Sequence, residues 1–207
     1  MLDLRAYEYL SPPPRTGDTE ADALAFLREN GRPKIAAHVL EVADTAVALA
    51  RRFGLNPAVA RTAAILHDIS GVMKPADMMA CALAHGWYID ESEQRYPFIL
   101  HQRMSRVLAR EVFGIHDETV LSMVACHTTL KDGATDDDIL LFLADKLAWD
   151  QPGTPPYFDP VSQALDTSLA FAAGVYMRYV LAHGMILLPH RWFLEAKAYV
   201  EASHDDR

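Results

Sequence analysis

Ala64-Ile65-Leu66-His67-Asp68-Ile69-Ser70 joins an apolar run directly to an adjacent imidazole and carboxylate. The residues before the pair, Ala58 to Leu66, are apolar nearly all round, the pattern of a helix at the centre of an α-bundle. Nitrogen and oxygen donors at the end of such a rigid helix suit a divalent cation. A carboxylate at a helix C-terminus is opposed by the helix dipole, and a neighbouring cation removes that conflict. Taken alone, the pair is also what a capped helix end with a hydrogen-bonded histidine would show. Its company carries more weight. His38 upstream and His101, His127 and Asp145 downstream each fall in or at the end of an apolar-patterned helix, where a polar side chain is costly to bury.

Working outward, Pro33 opens a helix that carries His38, Val42, Ala46 and Leu49 and closes at Gly54, since proline suits the first turn and glycine the stop. His38, Val42 and Thr45 share a face at helical spacing, so His38 looks inward, as a ligand or as a satisfied core histidine. An earlier helix spans about Thr19 to Asn30. Residues 1–18, with Pro12-Pro13-Pro14, read as an irregular arm, which leaves 19–207 as the domain. Downstream, Lys74-Pro75 begins a helix that stops at His85-Gly86, and Trp87 to Pro97 reads as a linker with a short acidic segment. Further helices run from Ile99 to Phe113 and from the Asp117 cap to His127. Thr135 caps a third, in which Asp136-Asp137-Asp138 fill the first turn, where the dipole favours carboxylates, and Asp145 interrupts an apolar run. After a proline-glycine loop, one long helix is expected from Asp159-Pro160 to about His183, then a last one to Ala202. Strand-like alternation and internal repeats are missing from the pattern. The fold class is all-α, a helical bundle.

Composition narrows the function. The 207 residues carry a formal net charge of -9, which argues against nucleic-acid binding through a basic surface. An acidic chain can still hold anionic phosphates if bound metal ions invert the local charge. Cys81 and Cys126 form no framework, so a reducing cytoplasm is expected, and Cys126 beside His127 reads as a small buried side chain rather than a zinc ligand. Met1-Leu2-Asp3-Leu4-Arg5 has no signal-peptide pattern. The apolar tract Leu169 to Pro189 is broken by Arg178, His183 and two glycines, and reads as a buried helix and turn rather than a membrane span.

If the four histidines and two aspartates converge, they offer six donors. Asp68 could bridge two ions, with His38, His67 and Asp145 on one and His101 and His127 on the other. Two ions about 3.5–4 Å apart suit hydrolysis of a phosphate ester or anhydride through a metal-bound hydroxide, with His67 and Asp68 at the catalytic centre. No nucleophilic serine or cysteine motif competes with this reading, and Walker A and GxGxxG patterns are absent.

The ordered series His38…His67-Asp68…His101…His127…Asp145 resembles the HD-domain metal-dependent phosphohydrolase superfamily. The chain is most similar there to the YqeK-type symmetrical diadenosine tetraphosphate hydrolases, over roughly residues 33 to 195. The matching stretches are His38-Val39-Leu40-Glu41-Val42-Ala43, Ala63 to Asp68, His101 with Arg110 to Ile115, His127-Thr128-Thr129 and Leu143-Ala144-Asp145. The resemblance implies an HD-domain helical bundle with a dinuclear site, iron first and manganese, zinc or nickel as other occupants. It also implies a nucleotide substrate, cleaved into two nucleoside diphosphates. The family usually has a lysine three residues after the HD aspartate, where this chain has Gly71. The family's tyrosine-containing segment with Glu-Pro is replaced by Lys146-Leu147-Ala148-Trp149-Asp150. Lys74, Arg103 and Lys131 are the candidate phosphate contacts. Two alternatives stay open: an HD-type hydrolase of nucleoside mono- or triphosphates or another small phosphate ester, and a metal-stabilised nucleotide sensor without catalysis. The apolar C-terminal helices could supply a homodimer face.

Overall fold

A computed structural model describes residues 6–149 and 151–205. Met1 to Arg5, read above for a signal peptide, lie outside the described residues, as do Asp150 and the last two residues. The described part of the arm packs on the domain: Tyr9 donates to Asp77 (2.5 Å), and Ser11 exchanges hydrogen bonds with Asn30 (2.9 and 3.0 Å).

The described residues form α-helices and 3-10 turns. Helix α1 spans Thr19–Glu29, α2 Pro33–Phe53 and α3 Pro57–Leu66. Their ends follow local chemistry. Asp18 caps α1, Asn56 accepts from Ala58 and Val59 at the start of α3, and Gly54 closes α2 at φ 71, a left-handed conformation open to glycine at little cost. Helix α3 occupies the middle: it touches α1, α2, α6 (His101–Glu111), α7 (Glu118–Cys126) and α8 (Asp136–Leu147). That central position explains its all-round apolar sequence, with Ala60, Ala63, Ala64, Ile65 and Leu66 buried. Helix α8 packs on α2, α3, α7 and, from the other side, α10 (Leu169–Ala182), so its Ile139–Ala144 run is also buried throughout. Among the described residues no helix is long and apolar enough to cross a membrane.

Two expectations need correction. Trp87 to Pro97 is more than a linker. Helix α4 (Pro75–Ala84) is followed by a short helix α5, Glu91–Arg95, and then by a 3-10 turn over Pro97–Leu100. The acidic segment read as a linker is a capping box: the Asp90 side chain accepts from the helix start while Glu93 reaches back to the Asp90 N–H (2.9 Å). The long helix from Asp159 to His183 is two, α9 (Phe158–Ala164) and α10. Ser168 takes an extended conformation and caps α10, accepting from the Phe171 N–H (3.0 Å). Arg52 donates to the Leu165 carbonyl and to the Asp166 carboxylate (2.7 Å each), so the break is held from α2.

Helix α11 (Arg191–Asp205) closes the chain over a buried ionic cluster. Glu93, fully buried, sits 3.1 Å from Arg103 and 3.6 Å from His190, and Arg103 lies over the Trp87 ring at 4.2 Å. Burial pushes the Glu93 carboxyl up, but His190, the Asp90 N–H and Arg103 more than offset this and hold it below its ordinary 4.5. A depressed folded-state value means stability that is present above pH ~4.5 and lost as pH falls through the folded value. Glu93→Gln is therefore expected to cost about 3 kcal/mol at pH 7, with Arg103 left short of its partner. Urea melts from pH 7 down to 3.5 should show the gap to wild type closing towards the acid end. A constant gap would remove the charge explanation.

Candidate metal centre

Sequence distance hides a close cluster. The C-terminal ends of α3 and α7, the start of α6, the first half of α2 and the last turn of α8 all point at one spot. His67 follows the end of α3 and Asp68 opens the 3-10 turn Ile69–Val72 that folds beneath it. That turn is pinned to α6: the Ser70 hydroxyl donates to the His101 carbonyl (2.8 Å) and Ser105 donates to Ser70 Oγ (3.0 Å).

All six anticipated donors meet. His38 Nε2 lies 3.1 Å from Asp145 Oδ1, and His67 Nε2 lies 3.6 Å from the same oxygen. Asp68 divides its two oxygens: Oδ2 faces His67 Nε2 at 3.7 Å, while Oδ1 faces His101 Nε2 at 3.3 Å and His127 Nε2 at 3.5 Å. Three histidines are oriented by the same device. Nδ1 of His67, His101 and His127 donates to the carbonyl three residues earlier, Ala64, Phe98 and Val124, at 2.6, 2.7 and 2.9 Å. In the neutral ring this leaves the Nε2 lone pair bare and aimed at the centre.

The donor set fits a cation. His67 Nε2 is buried with no hydrogen-bond partner, and the His101 and His127 Nε2 atoms stand 2.9 Å apart. Two lone pairs cannot satisfy each other at that distance. Two triads, His38-His67-Asp145 and His67-Asp68-His127, each bring three ligand atoms within 4.8 Å of one another. The electrostatics say the same. Burial pushes the His67 imidazole down, yet the Asp68 and Asp145 carboxylates outweigh it and lift it to about 9. His127 moves the other way, to about 4, because burial dominates and the His67 and His101 rings add to it. Burial alone would raise both aspartates, but His67 and its neighbours hold Asp68, and Lys146 and the histidines hold Asp145, well below the carboxylate range. The centre thus gathers carboxylate charge and imidazole lone pairs that a divalent ion would balance together.

A cleft of about 580 Å³ opens on this cluster. His38, Asp68 and Asp145 form its floor, Lys34, Glu41 and Lys146 its polar walls, and Trp149 and Tyr157 an aromatic side. The basic residues singled out from sequence lie elsewhere. Lys74 is exposed with its ammonium 4.2 Å above the Tyr9 ring, Arg103 belongs to the Glu93 cluster, and Lys131 pairs with Asp138 (3.0 Å) and bonds Ser122. Sequence reading passed over the two lysines that do line the cleft. Lys34 could have been found, since it precedes His38 by one helical turn on the same face of α2. Lys146 was hidden behind the aspartate it follows; its ammonium bonds Asp145 Oδ2 at 2.5 Å. The bare position of Gly71 also has a reason: the Ile35 side chain occupies the space a Cβ there would need.

Gln102 was passed over too. Its side-chain oxygen accepts the N–H groups of Thr128 and Thr129 (3.1 and 3.2 Å), which fixes the turn after His127. Just beyond, buried Leu130 adopts φ 58, a left-handed conformation that costs a branched side chain about 1–2 kcal/mol and that these bonds help to hold. Thr128 completes the arrangement with its hydroxyl 3.1 Å from His101 Nε2. Cys126 is buried and donates to the Ser122 carbonyl (3.3 Å), away from the donor groups.

Comparison with known proteins agrees with this geometry. The family model for the HD domain matches residues 35–150. An uncharacterized protein in the pepC 5' region of Lactococcus lactis subsp. cremoris is 37% identical over 147 residues, 71% of this chain and 75% of that protein. A symmetrical bis(5'-nucleosyl)-tetraphosphatase of Bacillus subtilis is 27% identical over 149 residues, 72% of this chain and 78% of that one. The crystal structure of a predicted HD superfamily hydrolase from Clostridium acetobutylicum, described as involved in NAD metabolism, superposes with a TM-score of 0.77 at 25% identity, covering 87% of this chain and 96% of that chain.

Proposed function

Because the chain belongs to the HD domain family of hydrolases, we propose that it is a metal-dependent phosphohydrolase that cleaves dinucleoside tetraphosphates symmetrically into two nucleoside diphosphates. One observation carries the reading: imidazole Nε2 atoms and carboxylates from five helices converge, unsatisfied by hydrogen bonds at His67, on the floor of an open cleft. The tetraphosphatase relatives support the substrate. His38, His67, Asp68, His101, His127 and Asp145 would hold two divalent ions, iron first among them, with Asp68 offering one oxygen to each side. Such ions, when bound, acidify a water molecule and neutralise phosphoryl oxygens.

The protein's own groups do the rest. Backbone carbonyls hold three imidazoles in one tautomer, so the donor lone pairs are preset. Lys146 grips Asp145 Oδ2 and leaves Oδ1 to the histidine side of the site. Lys34, exposed on the cleft wall, would meet the distal phosphates, and Ile35 beside it keeps that wall partly apolar. Trp149, half-buried at the cleft and backed by the buried Tyr157, offers a flat surface to a nucleoside. A cytoplasmic location fits the two free buried cysteines.

Protein purified without oxygen, loaded with ferrous iron and given diadenosine tetraphosphate should yield ADP as the sole nucleotide product on chromatography. AMP with ATP would sink the symmetrical reading. Phosphate release from other nucleotides alone would move the substrate to a mono- or triphosphate. Tight binding without turnover in metal-replete protein would make the chain a sensor.

A further inference from the structure

A second cavity lies behind the wall of the cleft. It measures about 200 Å³ and is lined chiefly by apolar groups: Ile99, Tyr176, Ile186, Leu188 and Phe193. Thr128, Thr129 and Lys146 complete the lining on the side of the metal centre, with His190 at its other margin. Two of these residues touch the donor set itself. The Thr128 hydroxyl is 3.1 Å from His101 Nε2, and the Lys146 ammonium is 2.5 Å from Asp145 Oδ2. Lys146 also lines the larger cleft. A polar compartment and an apolar one therefore meet at Lys146, beside the donor set, and the single residue common to both linings is a cation.

We propose that the substrate straddles Lys146: its phosphoryl group lies over the donor cluster against the Lys146 ammonium, and a flat aromatic group that it carries enters the 200 Å³ pocket. On the function proposed above, on which this rests, that group is a nucleobase. Size and chemistry agree. At about 30 Å³ per water molecule the cavity holds roughly six or seven waters, room for a heterocycle but not for a whole nucleotide. Rings and branched side chains line it, and the half-buried Thr128 gives it a polar margin for a heteroatom edge. Ile186 and Leu188 come from the segment between α10 and α11, whose neighbours Met185 and Leu187 are exposed. Ile186 and Leu188 are half-buried between these exposed neighbours, so this stretch forms one wall of the pocket.

The test uses the full chain loaded with metal and reads ligand binding by calorimetry, with ADP and inorganic pyrophosphate as probes. Ile186→Trp fills the pocket without touching a donor. It should weaken ADP at least tenfold and leave pyrophosphate within twofold of wild type. Lys146→Met, compared with wild type at equal metal content per chain and below its lowered thermal midpoint, should weaken both probes at least fivefold, and Lys146→Arg should restore most of the pyrophosphate binding. If wild type binds ADP but Ile186→Trp binds it equally well, or loses both probes equally, the pocket assignment falls while the hydrolase reading stands. If Lys146→Met binds pyrophosphate as wild type does, the straddling geometry falls. Wild-type protein that fails to bind ADP overturns the nucleotide reading and the subsite with it.

Discussion

On the two-ion site proposed above, Asp68→Ala is expected to leave the chain without bound metal and to reduce hydrolysis by three orders of magnitude or more. Asp68 is the one donor with histidines facing both of its oxygens, Oδ2 towards His67 and Oδ1 towards His101 and His127. Its loss removes a ligand from both sides at once, and it also leaves a buried cluster of imidazoles with half its negative charge. Metal catalysis of phosphoryl transfer supplies several kcal/mol, and each 1.4 kcal/mol is about tenfold in rate. Elemental analysis after reconstitution reads the first quantity and a product assay the second. His38→Ala serves as comparison, since its Nε2 faces Asp145 alone and its loss should thin one ion more than the other. Full metal occupancy in Asp68→Ala would break the bridging assignment whatever the activity did.

Phe142→Ala should be the most destabilising single change in the core around the site, by about 3–5 kcal/mol. Phe142 is fully buried, stacks edge-on against Tyr176 at 5.3 Å, and lies one turn before Asp145 on α8. A loss of that size is a large share of the 5–15 kcal/mol typical of a whole domain. It should also weaken metal binding, because α8 holds Asp145 in place through this packing. Urea unfolding followed by circular dichroism would show a lower midpoint with an unchanged slope. Leu187→Ala, at 82% exposure, should stay within ~0.5 kcal/mol of wild type. Equal effects of the two substitutions would contradict the packing argument.

The contrast between what was and was not legible in the chain follows one physical line. Pro33 and Gly54, Asn56 and Pro57, and Thr135 with Asp138 mark helix ends by hydrogen bonds and backbone preferences that act within one turn. Apolar periodicity, likewise local, marked which faces go inside, and so made inward polar residues such as His38, His67 and Asp145 stand out. The same locality accounts for the misreadings. The Asp90-to-Glu93 capping box was present in the letters but too short a signal beside an acidic run, and the break at Ser168 depends on Arg52 reaching across from α2.

Charges were harder still. Lys74, Arg103 and Lys131 look like free cations in a linear reading, yet Tyr9, Glu93 and Asp138 meet them in space. Long flexible side chains reach whatever the packing of distant elements brings near, so their partners are not written within a turn of the chain. The sequence by itself determined that the protein is all-α, where its helices begin and end for the most part, and which six side chains have the chemistry to bind metal. Only the tertiary structure decided that those six meet, that Asp68 turns one oxygen to each side, and that Lys34 and Lys146 rather than the expected cations line the cleft, because contacts between residues up to 107 positions apart are set by how helices pack and not by any local preference.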